Sequence, residues 1–134
     1  MQKMLDRNPN DARALLGLAN EFENGQQWSD VVATLVRYAP PTPEPVRPAR
    51  AVLYVHGWSD YFFQTGLAAY WHAQGAAFYA LDLRKYGRSL LPHQTPNFAR
   101  SLTEYYPELD EAARIIREDD GHDQLLVAGH STGG

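Results

Sequence analysis

The chain has 134 residues, 44% hydrophobic and 12% aromatic, which suits one small domain with an apolar core. Its formal net charge of -4, with no Lys/Arg cluster anywhere, argues against a nucleic-acid or anionic-membrane partner. Five histidines and no cysteine exclude disulfides and thiolate metal sites, and neither a metal nor an organic cofactor is expected.

Met1 to Arg7 lacks the apolar core of a signal peptide, and no run approaches membrane-spanning length, so the expectation is a cytoplasmic protein that does not span a membrane. Asn8-Pro9-Asn10-Asp11 is a helix-start signal, with Asn8 able to cap and Pro9 suited to the first helical position. Ala12, Leu15, Leu16, Ala19 and Phe22 follow at helical spacing, which predicts a short amphipathic helix and makes residues 1–30 a helix and lead-in. The stretch also has the cadence of one helical-repeat unit, but a single copy cannot bury its own face. Val31 to Tyr38 is β-branched and apolar and reads as a strand. Pro40 to Pro48 carries five prolines in nine residues, which permits neither helix nor central strand, so it is a stiff inter-strand connection.

From Ala51 the pattern becomes regular. Ala51 to Val55 is a continuous apolar strand, and Phe63, Leu67 and Trp71 space a helix that Gly75 can close. Ala76 to Leu83 is a second apolar strand. Ser101 to Glu104 is a capping-box pattern ahead of a stripe of Leu102, Tyr105, Leu109, Ala112, Ala113 and Ile116 that runs up to Gly121. Pro107 either kinks that helix or marks its first turn. Gln124 to Ala128 is a further strand. Buried strands separated by single helices predict an α/β fold built on a parallel sheet with right-handed crossovers.

The last strand leads into Gly129-His130-Ser131-Thr132-Gly133-Gly134, which satisfies GxSxG with Ser131 at its centre. That is the nucleophile-elbow pattern: a serine pinned on a sharp turn between strand and helix, where Gly129 and Gly133 give room that bulky neighbours would not. A bare GxSxG recurs in loops; here an apolar strand precedes it, while the sequence stops three residues past Ser131, before the helix can be read. In open α/β sheets ligands sit beyond the carboxyl ends of the strands. Three segments converge there: His56-Gly57-Trp58, Asp82 to Ser89, and the Ser131 turn. Acyl transfer to a serine needs a general base and amide donors for the oxyanion. In an elbow one donor is the N–H after the serine, here Thr132, and the second comes from the loop in which His56-Gly57-Trp58 lies.

Val55-His56-Gly57-Trp58, Leu81-Asp82-Leu83-Arg84-Lys85-Tyr86-Gly87-Arg88-Ser89 and Gly129 to Gly134 stand in the order and spacing of the α/β-hydrolase superfamily. The chain resembles most its monoacylglycerol lipase, lysophospholipase and serine aminopeptidase branch, over about Val31 to Gly134. The resemblance implies that Ser131 is the nucleophile and that the Trp58 and Thr132 amides form the oxyanion hole, with His56, Gly57, Gly129 and Gly133 supporting them. The superfamily places its acid and catalytic histidine later in the chain than the serine, so residues 31–134 match the amino-terminal half of one domain and are expected to be inactive alone. Lys85 stands where the family's Asp-x-Arg-Gly-x-Gly-x-Ser has its first glycine, which leaves the shape of that loop open.

The remaining candidates have plainer readings. His130 is the variable residue of GxSxG and is expected to bond locally, His56 to orient its loop through backbone bonds, and Asp82 to pair with Arg84 or Arg88. His72, His93 and His122 are expected at the surface. Trp58, Tyr61, Phe62, Phe63 and Tyr86 are candidates for an acyl pocket, or for core and rim packing. The functional expectation is a serine hydrolase of carboxylic, lipid-like acyl esters, with no obligate protein partner. The alternatives are a peptidase or acyltransferase on the same fold, or a non-catalytic remnant.

Overall fold

The computed structural model describes residues 12–23, 27–40 and 46–134. Two apolar runs, Arg50–Val55 (β3) and Ala77–Asp82 (β4), form the centre of a sheet, and all but the first residue of each is buried. β3 pairs in parallel with β4 on one side and with Gln124–Gly129 (β5) on the other, where Val55 lies opposite Gly129. Gln27–Arg37 (β2) runs antiparallel to β4, and Ala12–Glu23 (β1) antiparallel to β2. The order across the five described strands is β1-β2-β4-β3-β5.

The helix expected over Ala12 to Phe22 is instead β1. Apolar spacing is a local signal, and pairing with β2 from Ala12 opposite Arg37 to Glu23 opposite Gln27 overrides it by supplying hydrogen bonds across the hairpin. Gly17 inside the segment also weakens a helix there by about 1 kcal/mol. Residues 12–30 are therefore no separate helical lead-in, since both described strands join the same sheet. The helix start expected at Asn8 to Asp11 lies outside the described residues, as does the middle of the proline-rich connection, residues 41–45.

Alternation along the central strands divides the core into two faces. Leu53, Val55, Tyr79 and Leu81 face one way and pack with Ala112, Ile115 and Ile116. Val52, Tyr54, Phe78 and Ala80 face the other and pack with Phe62 and Ala68. Each large side chain so buried contributes about 2 kcal/mol. The first face is covered by Tyr106–Arg114 (α2) and the π-turn Ile115–Asp119 that continues it, the second by Thr65–Ala73 (α1).

α1 ends as its sequence predicts, in a Schellman motif: Gly75 N donates to His72 O at 3.0 Å and Ala76 N to Trp71 O at 3.1 Å. At the start of the second helical run Ser101 Oγ accepts from Thr103 N at 3.2 Å, and Glu104 Oε2 reaches back to Ser101 N at 3.3 Å. That capping box starts a 3-10 turn, Leu102–Tyr105, and Pro107 falls in the first turn of α2, where its missing N–H costs no intrahelical bond.

At the end of the sheet opposite the Ser131 turn, the expectation of a surface His122 is corrected: its ring is buried. His122 Nδ1 donates to Pro48 O at 2.6 Å and its Nε2 lies 3.0 Å from the Tyr79 hydroxyl, which itself donates to Asp120 at 2.6 Å. Burial first, then the bond to Asp120, hold the Tyr79 phenol above its ordinary range, so it stays a donor. The network staples the segment before β3 to β4 and to the turn before β5. Tyr79→Phe is expected to cost about 1–2 kcal/mol in urea unfolding, since it leaves the buried His122 and the half-buried Asp120 without their shared hydroxyl.

Candidate active site

β5 delivers its last residue, Gly129, beside Val55, and His130 N extends the ladder by donating to Val55 O at 3.1 Å. The chain then turns at Ser131, whose φ of 55° is left-handed. A non-glycine residue there carries roughly 1 kcal/mol or more of strain. Gly133 N donates to His130 O at 3.0 Å and Gly134 N to Ser131 O at 3.1 Å, closing a 3-10 turn over Ser131–Gly133 that leaves the serine exposed.

Glycine at 129 and 133 is a steric requirement of this turn, and glycine at 57 eases a tight approach. A Cβ at 133 would fall on the carbonyl oxygens of Val55 and His56, and one at 129 on the backbone of Gly133 and Gly134. One at 57 would come within 3.1 Å of His130 O and 3.2 Å of Ser131 Cβ. The end of β3 and the serine turn are thus in van der Waals contact through main chain.

His56 is buried and bonds backbone on both sides of its ring. Nε2 accepts from Leu83 N at 3.1 Å, so Nδ1 carries the proton and donates to Gly57 O at 2.8 Å. It therefore ties the loop after β3 to the loop after β4. Asp82, fully buried at the end of β4, pairs with Arg88 rather than Arg84: Arg88 Nη1 donates to its Oδ2 at 2.9 Å and Phe62 N to its Oδ1 at 2.9 Å. Arg88 Nη1 also donates to Phe62 O at 2.8 Å. One ion pair thus grips both polar groups of a residue that follows the His56-Gly57-Trp58 loop.

Arg84 has a partner that sequence reasoning missed. Glu108, fully buried on α2, accepts from Arg84 N at 2.7 Å and Arg84 Nε at 2.8 Å. Burial pushes the Glu108 carboxyl above its ordinary range against the opposing pull of the guanidinium. The signal was present: Glu108 stands on the apolar stripe, three residues past Tyr105 and four before Ala112, where a carboxylate needs a cation. Lys85 adopts φ 66°, the left-handed conformation a glycine would take freely. Its carbonyl accepts from Asn97 N at 2.9 Å and its ammonium lies 5.4 Å from the centre of the Phe98 ring.

Trp58 and Thr132 border one cavity of about 600 Å³, together with His56, Gly57 and Gly133. Its other walls are largely apolar, including Tyr86, Phe98, Leu102 and Tyr106. Of the aromatic residues weighed as pocket lining, Trp58 and Tyr86 line it. Phe62 packs into the core against Tyr54 and Phe78, while the Tyr61 and Phe63 rings lean on each other at the exposed surface, 5.4 Å apart. His130 is exposed, with Nδ1 4.0 Å from Asp60 Oδ2. Among the described residues neither His56 nor His130 hydrogen-bonds Ser131. His93 is exposed and His72 half-buried.

Parallel strands flanked by one helix on each face, an antiparallel extension, and a serine on a left-handed turn after the parallel strand β5 together define the α/β-hydrolase fold. The chain belongs to the serine aminopeptidase, S33 family, whose profile matches residues 46–134. Among solved structures it is similar to acetyl xylan esterase 1 from Thermoanaerobacterium sp. (TM-score 0.59, 16% identity, 98% of this chain and 45% of that one). It is also similar to a cold-adapted esterase from an Arctic intertidal metagenomic library (0.55, 15%, 96% and 54%) and to a monoglyceride lipase from Saccharomyces cerevisiae (0.55, 14%, 97% and 36%). The chain spans about half the length, or less, of these proteins. No curated protein matches by sequence. Among the described residues no helix is long and apolar enough to cross a membrane.

Asp82 accepts from Phe62 N, Arg88 N and Arg88 Nη1, so removing its buried carboxylate takes an acceptor from three donors, at about 1 kcal/mol each. Asp82→Ala is therefore expected to lower the denaturant midpoint more than Tyr79→Phe. A midpoint unchanged from the parent would show that the pair holds nothing in place.

Proposed function

We propose that this chain is the amino-terminal half of a serine hydrolase acting on carboxylic esters with an apolar acyl group. The observation that carries the reading is Ser131 on a left-handed turn, its Cβ 3.2 Å from where a Gly57 Cβ would stand. In this reading Ser131 Oγ attacks the ester carbonyl carbon and gives up its proton to a base. The oxygen that becomes negative is received by the Trp58 and Thr132 amides, which border one cavity. Collapse of the tetrahedral species expels the alcohol, and water then releases the acid from the acyl-serine. The largely apolar cavity walls, and the esterase and lipase activities named for the structural neighbours, support an apolar acyl group.

The base is no histidine among those described beside the turn. Both ring nitrogens of His56 are engaged by backbone, and His130 points its Nδ1 towards Asp60. In this superfamily the acid and the histidine follow the serine in the chain, so turnover is proposed for a protein of its relatives' length and not for these 134 residues. A second reading, a peptidase, rests on the aminopeptidase description of the matched family.

The test treats the full-length protein with a fluorophosphonate probe and maps the adduct. Labelling at Ser131, abolished in Ser131→Ala, is the expected outcome, and its absence in a folded protein sinks the proposal. Turnover of p-nitrophenyl butyrate against aminoacyl p-nitroanilides then separates esterase from peptidase.

A further inference from the structure

The loop that leaves β3 turns back on itself at Ser59, which has φ 52°. The turn brings the Asp60 carboxylate over the start of its own loop, where Oδ2 accepts from Gly57 N at 3.3 Å. The same oxygen lies 4.0 Å from Nδ1 of His130, the residue that precedes the serine. Gly57 in turn abuts His130 and Ser131 by main chain. One carboxylate oxygen therefore touches the residue before Trp58 and the residue before Ser131, the two backbone segments that carry the proposed oxyanion donors.

Among the described residues the Asp60 side chain makes no hydrogen bond beyond its own loop. It does not cap α1, which begins five residues later at Thr65 behind Gln64. A carboxylate beside an oxyanion hole also repels the charge that forms there, by elementary electrostatics. Its use in such a place is geometric: it holds the Gly57 amide.

We propose that Asp60 is a positioning residue of the oxyanion hole, setting the separation of the Trp58 and Thr132 amides through its bond to Gly57 N and its contact with His130. This rests on the serine-hydrolase reading of Ser131. Asp60 never touches the substrate; it acts through the placement of the two donors. A hole whose donors are displaced by about an ångström loses on the order of 100-fold in rate, because donors must meet the oxygen as it becomes an anion.

The test compares Asp60→Ala, Asp60→Asn and Asp60→Glu in the full-length protein, by the rate of fluorophosphonate labelling at Ser131 and by kcat and KM for p-nitrophenyl butyrate. Asn keeps an acceptor for Gly57 N without the charge; Glu keeps the charge and moves the acceptor by one methylene. The expected result is a fall of about 10–100-fold in labelling rate and kcat for Asp60→Ala, with KM within about twofold and recovery to within about threefold in Asp60→Asn. If Asp60→Ala does not fold, the other two variants decide, Asn being faster than Glu. Unchanged rates in Asp60→Ala, or Glu outperforming Asn, overturn the assignment while leaving the hydrolase reading intact. An unlabelled parent protein removes the hydrolase reading and this assignment with it.

Discussion

The structure depends on how closely two stretches of main chain approach at the carboxyl end of the sheet. Parallel pairing of β3 with β5 sets Val55 opposite Gly129, and from that register the next residues of both strands must share one small volume. Gly133 rests against the carbonyls of Val55 and His56, and Gly57 against His130 and Ser131. A side chain at Gly133 would push the serine turn off the end of β3, and one at Gly57 would crowd it. The left-handed backbone at Ser131 follows from the same crowding, since the chain has to leave the strand at once.

Around that contact the loops are secured by buried charge as well as by apolar packing. Asp82 with Arg88 grips Phe62 through both its N–H and its carbonyl, and Arg84 with Glu108 joins the segment after β4 to α2. His56 bridges the loops after β3 and β4 as a neutral ring with a fixed tautomer. Buried ion pairs add little net stability compared with apolar isosteres, but they tolerate few alternative geometries. In the proposed reading, loops bordering Ser131 benefit from that intolerance, because donors and nucleophile have to be in place before a substrate arrives.

Much of this was legible in the residues. β3, β4 and β5 are short apolar runs with turn residues at their ends, α1 has its closing glycine, and the second helical run has its capping box. The serine motif could be read because its constraint is local. β1 could not be read, because its pairing with β2 leaves no trace in the helical spacing of Ala12, Leu15 and Phe22. His122 looked like a surface residue because its partners, Tyr79 and Pro48, lie 43 and 74 positions away. Lys85 shows the converse: a residue in place of the family's glycine that takes the left-handed conformation a glycine favours, held there by Asn97 and Phe98. The family match covers residues 46–134, the part in which local signals and tertiary demands agree.

β5 is bonded on one side only among the described strands, and Leu126 and Val127 on it are about half exposed. A row of unmatched amides and carbonyls bordered by apolar side chains is a template that recruits any extended segment of similar character. A lysine at Val127 would set a charge in that apolar border, the device by which sheets guard such a margin.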